Sequence, residues 1–361
     1  MTAAISPADA LAERLVSAAI GALELCSVYL GAELGLYRTL ADHGPLSPPE
    51  LAERAGIAPR YAREWLEQQA VAGLLEVDDP EADAEARRFR LPAEHGRVLG
   101  EPDDPVHVAP LAHLLAGIGR VLPRVMEAYR TGGGVPYADY GREFRYGQGH
   151  INRSAFTAEL PAAWLAAMPD VVARLESARR PRIGEVGCGQ GWASLALAAA
   201  FPNAWVDGLD LDPDSIADAR RHAAQAGVDG RLRFIEGDAS ELDGMGPYDL
   251  VLVLEALHDL ARPVDALRAA RAALADGGSV LVVDEKVADG FTAPGDDTER
   301  LMYGWSVVHW LPTQLAMQPS AAIGTVMRAS TVRAVASEAG FGRVDVLPIE
   351  TDFLRLYRLW T

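Results

Sequence analysis

The chain has 361 residues, a formal net charge of −18, and 49% apolar residues. Because single cores stop growing at about 250–300 residues, this length predicts two domains. The charge repels nucleic-acid phosphates, and no apolar run reaches the about 18–20 residues of a membrane span. The start lacks a secretory signal, so we predict a cytoplasmic protein in which Cys26 and Cys188 are free, buried thiols.

The first 100 residues have the pattern of a winged helix. Residues 8–40 are rich in Ala and Leu at helical spacing, which predicts one or two helices. Ser47 precedes Glu50 by three residues and Pro48 by one, as in a capping box at the start of a helix. A second helix follows, and two short apolar runs then flank the acidic tip "DDPEADAEA". Helix, turn, helix and hairpin together predict an N-terminal all-α/winged-helix domain.

The rest of the chain divides into a bridge and an α/β domain. Residues 101–175 are predicted as a helical bridge with a glycine-rich loop, "TGGGVPYADYG". From about 176 to 361, strands and helices alternate, which predicts a doubly wound, mostly parallel sheet. Residues 288–325 are predicted as a helical lid. The seven predicted strands are "RIGEVG", "WVDGLDL", "LRFIEG", "YDLVLVLEAL", "SVLVVDEK", "VDVLPI" and "FLRLYRLW".

A glycine-rich turn, "GEVGCGQGW", follows the first predicted strand and opens onto a helix. Its glycines, Gly187, Gly189 and Gly191, allow a ligand to approach the backbone closely, and the helix N-terminus presents amide donors. Asp210 ends the second strand about twenty residues later, where a carboxylate accepts hydrogen bonds from ribose hydroxyls. The spacing predicts a nucleotide-type ligand and would also suit NAD.

Two acidic residues count against NAD: Glu185 lies in the first strand and Asp238 follows the third. Four successive segments, "IGEVGCGQGWASLALA", "VDGLDLDPDSIADAR", "RFIEGDASEL" and "YDLVLVLEALHDL", resemble the motifs of class I S-adenosylmethionine-dependent methyltransferases, which share a Rossmann-like sheet. That cofactor carries no phosphate, so carboxylates near its ammonium and sulfonium groups are favourable. The resemblance implies S-adenosylmethionine as cofactor and S-adenosylhomocysteine as product. The implied cofactor-binding residues are Glu185, Gly187, Gly189, Gly191, Asp210, Leu211, Asp238, Ala239 and Glu255.

The fourth strand ends in "LHD", at the sheet edge where ligands of open α/β sheets bind. The layout is similar to that of the small-molecule O-methyltransferases, in which a His-Asp pair supplies the general base and the winged helix forms a dimer. That resemblance implies a homodimer with His258 and Asp259 as catalytic residues. An imidazole pKa near 6.5 suits this task, although His258 would also be explained as a structural residue. In a turn, Asp259 would cap the next helix, and Glu285 and Glu299 are candidates for a further carboxylate.

The predicted lid carries Met302, Trp305 and His309 at helical spacing on one face. With Trp192 and Tyr140 they form the predicted acceptor pocket, which favours a flat apolar or aromatic small molecule methylated at a hydroxyl oxygen. Such a stripe is also typical of a simple core. Alternatively, His258, Asp259 and His309 would suit iron or zinc, and a metal-dependent phenylpyruvate C-methyltransferase is similar in this respect. The acceptor would then be an α-keto acid.

A winged helix also suits a transcription regulator that senses S-adenosylmethionine. The presumed recognition helix, however, sets Glu64 and Glu67 beside Arg60 and Arg63, and the hairpin tip is acidic. These charges would repel DNA phosphates, so we predict no nucleic-acid partner. A third alternative is a methyltransferase fold that binds the cofactor without methyl transfer.

Overall fold

The computed structural model describes residues 5–228, 230–324 and 326–361. It contains two compact units: the N-terminal unit runs to Gly119 and includes Arg142–Ser154, and the C-terminal unit comprises Arg120–Gly141 and Ala155–Thr361. Residues 101–175, predicted as a separate bridge, are thus shared between the two units. The domain boundaries near residues 100 and 175 stay a prediction.

The N-terminal unit contains the predicted helix, turn, helix and hairpin. The Ser47 backbone N–H donates to the Glu50 carboxylate over 2.8 Å, which closes the predicted capping box at the third helix. The hairpin strands are only two residues long and pair antiparallel. Its elements are α1 Pro7–Glu33, α2 Leu36–His43, α3 Pro48–Ala55, α4 Pro59–Val71, β1 Glu76–Val77, β2 Phe89–Arg90, α5 Ala93–Gly100, the first part of α6 Pro110–Thr131, and α7 Gly141–Ile151.

Helix α1 contacts the rest of this unit only near its C-terminal end. A Cβ on Gly31 would lie 2.5 Å from the Trp65 ring, so glycine allows α1 to pack on α4. Residues 5–20 are exposed, and Cys26 is exposed as well, which corrects the prediction of two buried thiols. By length and composition alone, α1 is long and apolar enough to cross a membrane, which corrects the expectation that no segment reaches that length. Of its apolar stretch, 11% is buried. One such helix near the N-terminus is a weak indication, because signal sequences and the core helices of soluble proteins pass the same test of length and composition.

The C-terminal unit contains the predicted seven-stranded sheet. The strand order is β5-β4-β3-β6-β7-β9-β8, with β9 antiparallel to both of its neighbours and the other pairs parallel. Hydrophobic layers cover both faces of the sheet. The strands are β3 Arg182–Val186, β4 Trp205–Asp210, β5 Leu232–Glu236, β6 Tyr248–Leu254, β7 Leu274–Glu285, β8 Arg343–Val346 and β9 Leu354–Trp360.

Helices flank this sheet, and a helical insertion follows β7. The helices are α8 Pro169–Ser177, α9 Trp192–Ala200, α10 Pro213–Ala226, α11 Pro263–Ala272, α12 Asp297–Trp305, α13 Leu311–Ala316 and α14 Ala329–Glu338. Between α12 and α13 the chain is π-helical over Ser306–Trp310. This wider turn interrupts the 3.6-residue repeat on which the predicted common face of Met302, Trp305 and His309 depends.

Candidate active site

The candidate site lies at the carboxyl edge of the parallel strands β3, β4, β6 and β7. Strand β3 pairs in parallel with β4 and with β6, and β6 pairs in parallel with β7. The four strand ends therefore meet at one edge of the sheet, which is where doubly wound folds bind ligands.

The loop after β3 is held in a conformation that requires glycine. Gly187, Gly189 and Gly191 have φ angles of +69°, +49° and +82°. A Cβ on Gly187 would lie 2.6 Å from the Cβ of Ala256, so the loop packs directly on the chain that leaves β6. Replacement of Gly187 by a larger residue would push the loop away from that chain.

Asp210, at the end of β4, pins this loop. The Gly189 N–H donates to its Oδ2 over 2.8 Å and the Asp212 N–H donates to its Oδ1 over 2.9 Å. Each carboxylate oxygen keeps a second lone pair for a ligand hydroxyl. Burial raises the pKa of Asp210. Leu211, the next residue, has 44% of its surface exposed, so an apolar side chain borders the site.

The other acidic residues of the predicted cofactor site have local partners. Glu185 is buried and accepts a hydrogen bond from the Ser194 hydroxyl, and burial raises its pKa to about 7. Asp238 accepts the Ser240 N–H over 2.9 Å and pairs with Arg262 at 3.0 Å. Burial opposes ionisation of Asp238, but the Ser240 hydrogen bonds and the Arg262 charge hold its pKa below the usual value. Ala239 is buried in the core, so adenine contacts here stay predictions.

His258 lies at the centre of a group of four carboxyl groups, which we call the carboxylate cluster: Glu255, Asp259, Asp284 and Glu285. The imidazole is 1% exposed, and its Nδ1 lies 2.9 Å from Asp284 Oδ1 and 3.8 Å from Glu285 Oε1. Its Nε2 lies 3.7 Å from Asp259 Oδ2. Ligand atoms of Glu255, His258 and Asp284 all lie within 4.8 Å of one another. The prediction that Asp259 caps the next helix is wrong. The turn that contains Asp259 directs its carboxylate toward His258 instead.

Each carboxyl group of the cluster has one buried oxygen without a hydrogen-bond partner among the described residues: Glu255 Oε1, Asp259 Oδ1, Asp284 Oδ2 and Glu285 Oε1. Buried oxygens of this kind are unfavourable until a donor or a cation reaches them. The only lysine of the chain, Lys286, directly follows the cluster, but its Nζ donates to the Thr351 carbonyl over 2.8 Å and pairs with Glu350.

The pKa values of His258 and of three of the carboxyl groups in this cluster are raised above their usual values. Burial lowers the pKa of His258, but the charges of Asp284, Glu285 and Asp259 outweigh it and hold that pKa well above the usual value. Burial raises the pKa of Asp259 to about 6 and of Glu285 to about 7, and raises the pKa of Glu255 well above its usual value. The imidazolium is therefore the favoured form of His258 at neutral pH, and some of the carboxyl groups carry protons.

The insertion after β7 forms an aromatic wall beside this cluster. The Trp310 ring lies 4.7 Å from the His258 ring, and the His309 Nε2 lies 3.9 Å from Asp259 Oδ1. Tyr140 packs edge-on against His309 at 4.8 Å, and its hydroxyl donates to the Val308 carbonyl over 2.8 Å. Burial, together with the charge of His258, lowers the pKa of His309 to about 3, so this ring is neutral.

The remaining predicted pocket residues contact residues outside the carboxylate cluster. Met302 and Trp305 pack with Val287 and Trp310 in a small apolar cluster. The Trp192 ring stacks on His222 of α10 at 4.3 Å, so its contact with an acceptor stays a prediction. Of the two further carboxylate candidates, Glu285 lies in the cluster. Glu299 instead anchors the insertion, since it pairs with Arg328 at 3.1 Å and accepts the Ala288 N–H over 3.0 Å.

Sequence reasoning missed two residues of this site. Asp284 holds the His258 Nδ1, and it was recognisable because β7 ends in two acidic residues and is the parallel neighbour of β6, which His258 follows. Gln314, on α13, is 1% exposed; its Nε2 donates to the His258 carbonyl and its Oε1 accepts the Gly324 N–H over 2.9 Å. No local pattern in the sequence identifies Gln314, because its partners lie 56 and 10 residues away along the chain.

These residues fit S-adenosylmethionine. Asp210 keeps lone pairs for the ribose hydroxyls, beside a loop that brings backbone amides to the same edge. The partnerless oxygens of the cluster suit positive groups such as an ammonium or a sulfonium. A phosphate-bearing cofactor would meet repulsion at the same place.

Comparison with known proteins identifies both units. Residues 185–280 match the family described as "Methyltransferase domain" and residues 21–101 match the "Rv2258c-like winged HTH domain". The trans-aconitate 2-methyltransferase of Streptomyces avermitilis is 34% identical over 135 residues, which are 37% of this chain and 48% of that protein. The chain thus spans about half the length of this curated relative. The acetylserotonin O-methyltransferase of Mus musculus molossinus is 28% identical over 317 residues, 83% of this chain and 76% of that protein.

Solved structures of the same architecture extend over the whole chain. The mitomycin 7-O-methyltransferase MmcR superposes with a TM-score of 0.66 at 21% identity, covering 98% of both chains. Human N-acetylserotonin methyltransferase, solved in complex with S-adenosylmethionine, superposes with a TM-score of 0.69 at 17% identity, covering 100% of this chain and 99% of that one. The winged-helix and seven-stranded-sheet predictions are therefore confirmed. Residues 185–280 thus resemble a methyltransferase domain and residues 21–101 a winged-helix domain, and the chain has the fold of solved methyltransferases in which these two domains follow in the same order.

Proposed function

We propose that this protein transfers the methyl group of S-adenosylmethionine to a hydroxyl oxygen of a small apolar or aromatic acceptor. The observation that carries the proposal is the buried His258–Asp284 pair, which lies at the sheet edge beside the glycine loop. The names of similar proteins, an acetylserotonin O-methyltransferase and a mitomycin 7-O-methyltransferase, support oxygen as the methylated atom.

The residues divide the work as follows. Asp284 accepts the Nδ1–H of His258, so Nε2 is the nitrogen that removes the acceptor's proton once the imidazolium has lost its own. S-adenosylmethionine, when bound, supplies the electrophilic methyl group. The aromatic wall of Tyr140, His309 and Trp310 supplies apolar surface for an acceptor ring and restricts water at the cluster.

We propose a homodimer that forms through the N-terminal unit in the cytoplasm. The exposed apolar side chains of α1 support it, because a soluble monomer seldom leaves so much apolar helix surface in water. Large exposed residues on α1 and beside it are Ile5, Leu11, Leu15, Val16, Ile20, Leu23, Leu30 and Leu34.

The winged helix serves assembly in this proposal, and nucleic acid is not a partner. Arg63, on the second helix of the motif, pairs with Glu67 at 3.2 Å, and Arg87 of the hairpin pairs with the same carboxylate at 2.8 Å. Arg60 pairs with Glu64. Arginines neutralised in this way offer little attraction to phosphates.

A second candidate function is metal-dependent C-methylation of an α-keto acid. It is favoured by the way Asp259 lies between the Nε2 atoms of His258 and His309, at 3.7 and 3.9 Å. A neutral His309 is a suitable metal ligand. In this alternative His258, Asp259 and His309 bind the metal and orient the acceptor.

Two substitutions test the proposed function. Asp210→Ala should weaken S-adenosylmethionine binding by about 1–3 kcal/mol, because hydrogen bonds to the ribose are lost. His258→Ala should slow the chemical step about 10²–10⁴-fold and leave cofactor affinity intact. Titration calorimetry gives the affinities, and mass-spectrometric detection of methylated phenols from an acceptor panel gives the rates.

Asp289→Ala, at a surface position, is the matched control. Unchanged affinity in Asp210→Ala would remove Asp210 from the site. Full turnover in His258→Ala would return His258 to a structural role. Turnover of α-keto acids that appears only after Fe²⁺ or Zn²⁺ is added would favour the metal-dependent alternative.

A further inference from the structure

The carboxylate cluster borders the place where the cofactor's reacting end must lie. Gly187, in the glycine loop after β3, packs on Ala256. Glu255 directly precedes Ala256 in the chain. The φ angle of Glu255 is +50°, a conformation that non-glycine residues seldom adopt, where the chain turns away from β6. The glycine loop after β3 and the carboxylate cluster are therefore neighbours at the same edge of the sheet.

Acidic groups outnumber basic groups in the carboxylate cluster. The charge of His258 is the positive charge that lowers the pKa values of Glu255, Asp259 and Glu285. The cluster around this cation contains four carboxyl groups. Asp284 is fully buried and Glu285 is 1% exposed, yet each has an oxygen without a partner in the described part of the chain. Hydrogen bonds within the cluster leave these oxygens unsatisfied, which indicates a missing positive or hydrogen-donating ligand.

Resting on the proposed function, we infer that the carboxylate cluster recognises the positive charge of the cofactor's sulfonium and so makes the protein prefer S-adenosylmethionine to S-adenosylhomocysteine. The two ligands share their adenine, ribose and amino-acid groups. They differ in the methyl group and in the charge on sulfur, which is lost when the methyl group leaves. A site that holds anionic oxygens near the sulfur stabilises the charged form and binds the neutral product less well.

The experiment is titration calorimetry with three ligands: S-adenosylmethionine, S-adenosylhomocysteine, and sinefungin, which carries an ammonium in place of the methylated sulfur. We expect the two cationic ligands to bind at least about tenfold more tightly than S-adenosylhomocysteine.

Glu255→Gln and Glu285→Gln keep the side-chain shape and remove one carboxylate each. Both variants should reduce the preference for the cationic ligands about three- to tenfold. Glu350→Gln, at a surface carboxylate that pairs with Lys286, removes the same charge outside the cluster and should leave the preference unchanged.

Equal affinity for charged and neutral ligands in the unmodified protein would overturn the inference and leave methyl transfer untouched. A preference that Glu255→Gln and Glu285→Gln leave at its full value would also overturn it. Failure of all three ligands to bind would reject the inference together with the proposed function. Two cluster variants are used so that the misfolding of one does not remove the test.

Discussion

At the scale of residues, the site depends on how one imidazole is charged. His258 is buried among carboxylates that hold its pKa well above the usual value, so the neutral form that accepts a proton becomes abundant only at alkaline pH. The activity of a base in this state rises with pH. Asp284 makes the closest of these contacts, at 2.9 Å, and the charge of Asp284 contributes most to the increase.

We therefore predict that kcat/KM rises with pH above neutrality, and that Asp284→Asn moves this rise to lower pH while reducing the maximal rate. The shift follows because removal of the carboxylate charge lowers the pKa of His258. The loss of rate follows because an amide orients the ring less strongly. The measurement is the pH profile of methyl transfer in both proteins.

Asp289→Asn, whose side chain is 88% exposed, is the matched control and should keep the unmodified profile. If the rise stays at the same pH in Asp284→Asn, His258 is not the titrating group.

Much of this site was predictable from the sequence, and the reason is geometric. Strand ends were recognisable from apolar runs, and the ends of parallel strands meet at one edge, so Asp210, His258 and the glycine loop could be placed together. Side-chain direction could not be predicted in the same way. The Asp259 carboxylate was expected to cap a helix, but a short turn at Leu257–Asp259 directs it toward the imidazole.

At the scale of elements, the insertion after β7 holds in place the turn that carries His258, Leu257–Asp259. Its helical pattern was visible in the sequence, but the π-helical turn at Ser306–Trp310 was not, because one wider turn leaves no local signature. Gln314 follows this turn on α13. It joins the carbonyl of His258 to the backbone N–H of Gly324. The insertion, the turn and the segment before α14 are thereby tied by one side chain.

We predict that Gln314→Leu lowers kcat about tenfold or more with a smaller change in the KM for S-adenosylmethionine. Leucine has a similar volume but leaves the buried His258 carbonyl and the Gly324 N–H unpaired, which costs about 1–3 kcal/mol for each group. The turn that carries His258 should therefore become more mobile, while the glycine loop after β3 keeps its conformation. Steady-state kinetics and thermal unfolding of the variant measure both effects.

Gln318→Leu, at an exposed position of the same insertion, is the control. Unimpaired kcat in a folded Gln314→Leu protein would show that the turn needs no such support.

At the scale of the whole molecule, the exposed apolar side chains of helix α1 are not accounted for by packing within a single chain. Leu15 and Leu23 are 60% and 69% exposed, on a helix whose residues from Pro7 to Ile20 are all exposed. Its apolar character was clear from the sequence, but burial was assumed, and the exposure of Cys26 shows that the assumption was wrong. Pattern alone does not distinguish a helix that is buried in its own chain from one that is buried by a second copy.

We predict that the protein elutes as a dimer of twice its 38.6 kDa chain mass, and that the double substitution Leu15→Asp and Leu23→Asp yields monomers. Charged side chains at these positions would have to be buried in a dimer interface, which is strongly unfavourable. Size-exclusion chromatography with light scattering measures the mass.

Val71→Asp, at a position on α4 that is 90% exposed, is the control and should stay dimeric. A double variant that remains dimeric would place the interface on another surface.

The position of Lys286 makes the molecule convenient for optical work. It is the only lysine in the chain, and its side chain is 37% exposed at the end of β7, one residue beyond the carboxylate cluster. An amine-reactive dye, applied where the terminal amine is blocked or already labelled, would attach at this single place. The fluorescence of such a conjugate would then report cofactor arrival from a neighbouring position, without any engineered cysteine.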